Sequence, residues 1–564
     1  MTSELRFDQI QGNVTPGFRK NHQAFMLLRF RREATPRAWL KTLIPSVTPA
    51  SAVQAFVRRL KAPNADDGQS PRARWVNVAF SSGGLEALEA PGMSFFPEDF
   101  SQGLRRRAHL IADDETIRDW QVGGTDETEA HVLLVAAADT AEDLRAEVER
   151  QQRLARAHGL SEIRTYYGAE LGGDMRGHEH FGYRDGISQP DREPPKDAPA
   201  WGEFVLGYPN QDGQLARAPD WALNGSYAVF RRLHQDVARF RQTLTEQAAK
   251  TRRDLTPQML GAKLVGRWTT GAKLGDDATE QGAPPWPGDE AARVTAQDFQ
   301  ADPQGERFPF VAHIRKANPR VGDYQRHRLI RRGIPYGPPL APDARDDGAA
   351  RGLLFLAYQA SIAQQFEHIQ QNWFNNTKFP TPTTGRDPLV GQPGGPNETT
   401  LPLKGGPVAL TLRQFVTMTG GGYFFSPSIQ ALKLLADPRR APSTEGKPMA
   451  DQYSRLGEFI FREDPYDWRR EADIPERVLP QDLNSAPEVE RVGLGKARNA
   501  ARPFESDYAL DDPEYWENGL FWQVGEKTIR ISKAIRIQYE YQNKEGKRVK
   551  RGMVIGFEGS GGGP

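Results

Sequence analysis

Between His178 and Pro190 the chain reads HEHFGYRDGISQP, placing two histidines close to two glycines with an acid, Asp185, between them. Glycine takes backbone conformations that other residues resist, so Gly182 and Gly186 permit a tight turn and a close approach to a flat ligand. Asp185 at such a turn is either a turn-capping residue or an acid presented for proton transfer. The His178-x-His180 pair has the spacing of two metal ligands on a strand. Far downstream, FPFVAHIRKANPR over 308–320 carries His313 and leads to RLIRRGIPYG over 328–337. His313, beside Phe310 and Val311, is either a packed core histidine or a metal ligand. Arg331 is either a strand-edge arginine or a fixed cation, and its neighbour Arg332 would face the opposite side of a strand. Leu353 and Phe355 alternate along one face of an apolar run and read as core or as the wall of a site.

These stretches, taken in this order, resemble the dye-decolourising (DyP-type) haem peroxidases. That family carries a Gly-x-x-Asp-Gly signature on the distal side of haem, matched here by Gly182-Tyr183-Arg184-Asp185-Gly186. Its proximal histidine comes over a hundred residues later, matched by His313, and a distal arginine follows, matched by Arg331. The resemblance therefore implies haem b (heme b, iron protoporphyrin IX), held by His313 and touched by Gly186, Ile187, Arg331, Leu353 and Phe355. It implies an oxidoreductase that reduces hydrogen peroxide through a ferryl state and oxidises phenolic or dye-like reductants. Gly333 stands where some relatives place a distal Asn or Ser.

Peroxide activation needs an iron ligand that pushes electron density toward the O–O bond, a base that relays a proton, and a cation that steadies the developing negative charge. His313, Asp185 and Arg331 suit these roles in turn. An ordinary Asp titrates near about 3.9, so turnover of dyes is expected to be best at acidic pH. Glu367 and Asp387 are the two carboxylates that could orient His313. Trp373, Tyr336 and Tyr358 could pass electrons to dyes too large to enter. A haem carrier without turnover, and a haem-modifying enzyme of deferrochelatase or chlorite-degrading type, are the alternatives.

The 564 residues balance 74 Lys and Arg against 73 acids, a net charge of +1. No long-range field favours a polyanion, which argues against nucleic-acid or anionic-membrane binding. The absence of cysteine excludes disulfides, thiolate-ligated haem and Cys nucleophiles. The N-terminus lacks an apolar leader and no apolar run nears the ~18 residues that span a bilayer, so a soluble, cytoplasmic protein is expected, its oligomeric state left open.

The elements that must position these residues follow from apolar runs. Strands are expected at 24–30, 75–80, 131–137 and 163–169, with helical spacing over 36–60, 82–88 and 140–158. A second round has a strand at 227–233, a helix over 235–249, strands at 308–314, 329–334 and 352–358, and a helix over 361–375. A polar insertion covers 269–306 and a loop covers 381–407, before Phe415–Phe425. The expected fold is α+β: two ferredoxin-like (split βαβ) modules side by side, 1–195 with the distal motif and 196–435 with the haem ligand, as in a dimeric α+β barrel. Residues 436–564 form an extension with strands at 520–524 and 529–539 and no assigned role.

Overall fold

A computed structural model describes residues 5–60, 72–192, 198–251, 255–274 and 299–437 with a few single or short interruptions, and four strands beyond them. The chain divides into two units, Met1–Ala441 and Pro442–Pro564. In the first unit, β1 (His22–Phe30), β2 (Arg74–Phe80), β3 (Val132–Ala138) and β4 (Leu160–Ala169) pair antiparallel in the order β4-β1-β3-β2. Helices Pro36–Leu43 and Ala50–Leu60 connect β1 to β2, and Ala141–Ala157 connects β3 to β4, which is the split βαβ arrangement. Thr140 caps the last of these helices by accepting from the Asp143 N–H.

The same order recurs downstream. Its strands are β5 (Ser226–Gln235), β6 (Ile330–Arg331), β7 (Ile334–Tyr336) and β8 (Gly352–Gln359), then a hairpin of β9 (Asn397–Leu401) and β10 (Val408–Leu412), then β11 (Val416–Ser426). β11, β5 and β8 are neighbours, and β6 and β7 both pair with the far edge of β8. Phe80 of β2 pairs with Phe425 of β11, so one sheet of nine strands runs through both modules.

The ends of that sheet meet. β4 packs on β7, and Gly168 makes the approach possible, since a Cβ there would stand 2.4 Å from Ile334 Cγ2. Strand alternation then sorts the side chains. Phe25, Leu27, Phe230, Leu356 and Phe424 form an inner core, with the rings of Phe25 and Phe230 stacked 5.3 Å apart although β1 and β5 are not neighbours. Met26, Leu28, Val229, Leu233 and Tyr423 pack outward into a second core with the helices. The α+β barrel of two ferredoxin-like modules is thus present.

Three local expectations are corrected. Residues 308–314 are not a strand. Pro309 cannot donate to a ladder, its carbonyl accepts the Ala312 N–H in a turn, and a short helix, His313–Ala317, follows. The segment 381–407 is not all loop, because β9 lies within it. Residues 361–375 are helical but wound in wide π-turns over Ile362–Glu367 and Ile369–Phe374, as the Asn375 N–H to Gln370 O bond shows. The glycines of Phe415–Phe425 lie inside β11, where Gly421 meets the Phe230 carbonyl at a bulge.

In the second unit, β12 (Ile460–Glu463), β13 (Leu520–Val524), β14 (Lys527–Gln542) and β15 (Arg548–Glu558) form an antiparallel sheet in the order β12-β15-β14-β13. The expected strands at 520–524 and 529–539 correspond to β13 and β14. Among the described residues no helix is long and apolar enough to cross a membrane.

Candidate active site

His313 opens its short helix directly after the Pro309 turn, and two buried cations lock that geometry. Arg315 donates to Phe308 O and pairs with Asp302, while the fully buried Lys316 donates to Asn376 O and Gly385 O. The latter bonds tie the helix to the segment carrying Asp387. His313 Nδ1 lies 2.9 Å from Asp387 Oδ2; the imidazole keeps 30 % of its side-chain surface open, whereas Asp387 is fully enclosed. The other Asp387 oxygen accepts the N–H groups of Leu389 and Val390. Burial alone would lower the His313 pKa, but the charge and hydrogen bond of Asp387 outweigh it and the net shift is upward. Of the two candidate carboxylates, Asp387 therefore orients His313. Glu367 is engaged elsewhere, by two bonds from Arg107 and one from Tyr423.

The loop from Glu179 to Gln189 lines the same cavity as His313. Gly182 and Gly186 hold φ of 96° and 71° with nothing crowding either Cβ position, so glycine is needed there for backbone conformation and not for space. Half-buried Glu179 shapes the turn by accepting from the N–H groups of Phe181 and Tyr183 and from Gln235. Asp185 accepts its neighbour Gly186 N–H and is otherwise open to the cavity. Arg331 is fixed to the same loop: its Nη2 donates to Ser188 O at 2.7 Å and its backbone N–H to Gln189. Arg332 turns away into a buried ion pair with Asp191 and bonds to the carbonyls of Asn13 and Val14. Of the two adjacent arginines, Arg331 is the one bonded to Ser188 and Gln189, in the loop that carries Asp185.

This cavity, of about 470 Å³, is lined by His313, Asp185, Gly186, Ile187, Arg331, Leu353 and Phe355 together with Phe366, Phe374 and Leu389. The seven residues that the resemblance placed against haem or in catalysis thus line one cavity. Its acids are Glu179 and Asp185, against many arginines that include Arg19, Arg184, Arg267 and Arg320. Burial and the nearby Arg320 push the Arg267 pKa down to about 10, so this positive charge is held at a cost that an anionic ligand would relieve. An apolar slot, an imidazole with its Nε2 edge free, and a cationic rim fit haem b: a flat apolar ring, an iron and two carboxylates. A volume in the usual range for a bound organic ligand agrees.

Other expectations end differently. His178 and His180 do not form a ligand pair. His178 is bonded to Arg176 O, whereas His180 is buried with Nε2 on Tyr336 O, and no cluster of three metal-binding side chains occurs among the described residues. Trp373, Tyr336 and Tyr358 are all buried, at 5, 8 and 3 % exposure, so none can touch a bulky dye directly. The role of the N-terminal turn escaped sequence reading: Asn13, Phe18, Arg19 and Gln23 line the cavity.

Two family models match the chain. Residues 9–170 match the model of the DyP dimeric alpha+beta barrel domain, and residues 178–381 that of the Dyp-type peroxidase C-terminal domain. A dye-decolorizing peroxidase of Mycetinis scorodonius is 32% identical over 467 residues, covering 76% of this chain and 87% of that protein. An ancestral D-type dye decolorizing peroxidase superposes with a TM-score of 0.67 at 32% identity, over 76% of this chain and 99% of its own. A fungal DyP-type peroxidase from Auricularia auricula-judae gives 0.65 at 29% identity, over 77% and 100%.

Proposed function

Because the chain belongs to the dye-decolourising (DyP-type) peroxidase family and is a haem-dependent peroxidase acting on hydrogen peroxide, we propose that His313, Asp185 and Arg331 carry the reaction. The observation that supports this most is that His313, oriented by Asp387, lines one cavity together with Asp185 and Arg331. Haem b, when bound, supplies the iron at which the O–O bond of peroxide is cleaved.

His313 Nε2 would hold that iron, with the Asp387 carboxylate on Nδ1 fixing the ring and raising its basicity. Asp185 would act as the proton relay, taking a proton from one oxygen of hydrogen peroxide and returning it to the other, so that the latter leaves as water. Arg331 stands by with a permanent charge where negative charge develops, and its bond to Ser188 O spares it reorganisation. Ile187, Leu353 and Phe355 exclude water, which strengthens both interactions. Dye-like and small phenolic compounds are the proposed reductants. The test is dye oxidation by the haem-loaded protein beside Asp185→Ala and Arg331→Leu: loss in both supports the assignment, and wild-type rates in both overturn it.

A further inference from the structure

Tyr423 lies on β11 opposite Val229 of β5, on the sheet face that also carries Arg231 and, beside it on β8, Phe355. Arg231 and Phe355 line the cavity, whereas Tyr423 sits just behind it at 2 % exposure. Phe366 bridges the two places: it lines the cavity, stands edge-on to Tyr423 at 6.1 Å and lies 6.3 Å from Phe355.

The Tyr423 hydroxyl donates to Glu367 Oε1 at 3.0 Å, and Arg107 clamps the same carboxylate through two bonds of 2.7 and 2.6 Å. Other phenols near the site have different surroundings. Tyr166 donates to an amide, Tyr358 accepts from Asn13, and the Tyr336 and Tyr227 hydroxyls are buried without a hydrogen-bond partner. Burial first, and then the charge of Glu367 and the bond to it, hold Tyr423 well above the usual tyrosine range, so it does not give up a proton on its own. Removing an electron reverses this, because an oxidised phenol is strongly acidic and an acceptor is already in hydrogen-bond contact.

We propose that Tyr423 is a buried one-electron donor to the peroxide-oxidised cofactor, with Glu367 as the acceptor of its proton. The O–H bond of Tyr423 breaks; the electron reduces the oxidised cofactor by one equivalent, the proton moves to Glu367 Oε1, and a neutral tyrosyl radical remains. An electron from the outside reductant, with the same proton returned from Glu367, restores the phenol. The site stores one oxidising equivalent inside the protein, out of contact with solvent. The oxidant is supplied by the peroxidase reaction, so the proposal rests on that reading.

The experiment mixes the holoenzyme with one equivalent of hydrogen peroxide, follows the Soret band, and freeze-quenches the same reaction for electron paramagnetic resonance. The expected result is a radical signal that narrows when the protein carries ring-deuterated tyrosine. Tyr423→Phe should lose most of that signal while its Soret band still responds. Glu367→Gln, which keeps the phenol and removes the acceptor, should lower the radical yield, and this variant decides the matter should Tyr423→Phe fail to load the cofactor. A signal indifferent to deuteration, a tyrosyl signal retained in Tyr423→Phe, or an undiminished yield in Glu367→Gln overturns the proposal. A wild-type Soret band unmoved by peroxide overturns the peroxidase reading instead.

Discussion

Asp387 meets His313 Nδ1 at 2.9 Å from a fully enclosed position, and its second oxygen is held by two backbone N–H groups. Burial alone would raise its pKa, but His313 and those N–H donors outweigh it, and the carboxylate stays ionised below its ordinary range. A charge held in this way acts on the imidazole. Asp387→Asn keeps the shape and removes the charge, so the reduction potential of the bound haem should rise and the peroxide reaction should slow by about 10–100-fold. Potentiometric titration beside stopped-flow kinetics checks both; an unchanged potential contradicts the assigned role.

The adjacent arginines should separate cleanly. Arg332 and Asp191 are nearly sealed from solvent, with 6 and 1 % of their side chains exposed, and Arg332 also supports the N-terminal turn at Asn13 and Val14. Arg332→Leu strands a buried carboxylate and should cost about 3–5 kcal/mol of stability. Arg331→Leu should leave the denaturation midpoint nearly unchanged while depressing turnover. Denaturant melts of the two variants, read beside activity, check this, and equal stability losses would contradict it.

His180 gives a pH dependence. Burial pushes its pKa down to about 4 although the Tyr336 carbonyl opposes this, and its Nδ1 is buried without a partner. The folded value lies below the unfolded one of about 6.5, so the stabilisation is full above pH 6.5 and is lost as pH falls toward 4. At ~1.4 kcal/mol per unit this amounts to roughly 3 kcal/mol at most. His180→Gln can still donate to Tyr336 O but does not titrate, so it should lose part of the acid slope in melts between pH 6.5 and 4. The remainder belongs to groups such as His131, which burial likewise lowers to about 4. An identical slope in the variant would contradict the assignment.

Much of this arrangement was legible in the sequence because it depends on residue types that few other contexts require. Apolar runs such as Ala24–Phe30 and Gly352–Tyr358 marked strands, and the glycines around Asp185 marked a turn that takes positive φ. The Phe308–Ile314 run misled because its apolar character resembles a strand, while Pro309 and the buried cations Arg315 and Lys316 favour a turn and helix. The choice of Asp387 over Glu367 was not readable, since it depends on Arg107 and Tyr423, remote in sequence, having engaged Glu367. For the same reason His178-x-His180 carried metal-like spacing without a metal site: only the fold shows His180 bonded to β7.

The most direct test of the central claim is the rate at which one equivalent of hydrogen peroxide shifts the Soret band of the haem-loaded protein. It is measured by stopped flow for the wild type, Asp185→Ala, Arg331→Leu and His313→Ala. Loss of a proton relay or of a charge-stabilising cation costs about 10²-fold or more, so the first two variants should slow by that order and His313→Ala should lose the histidine-ligated ferric spectrum. Wild-type rates in both distal variants, or an unaltered spectrum in His313→Ala, would contradict the account.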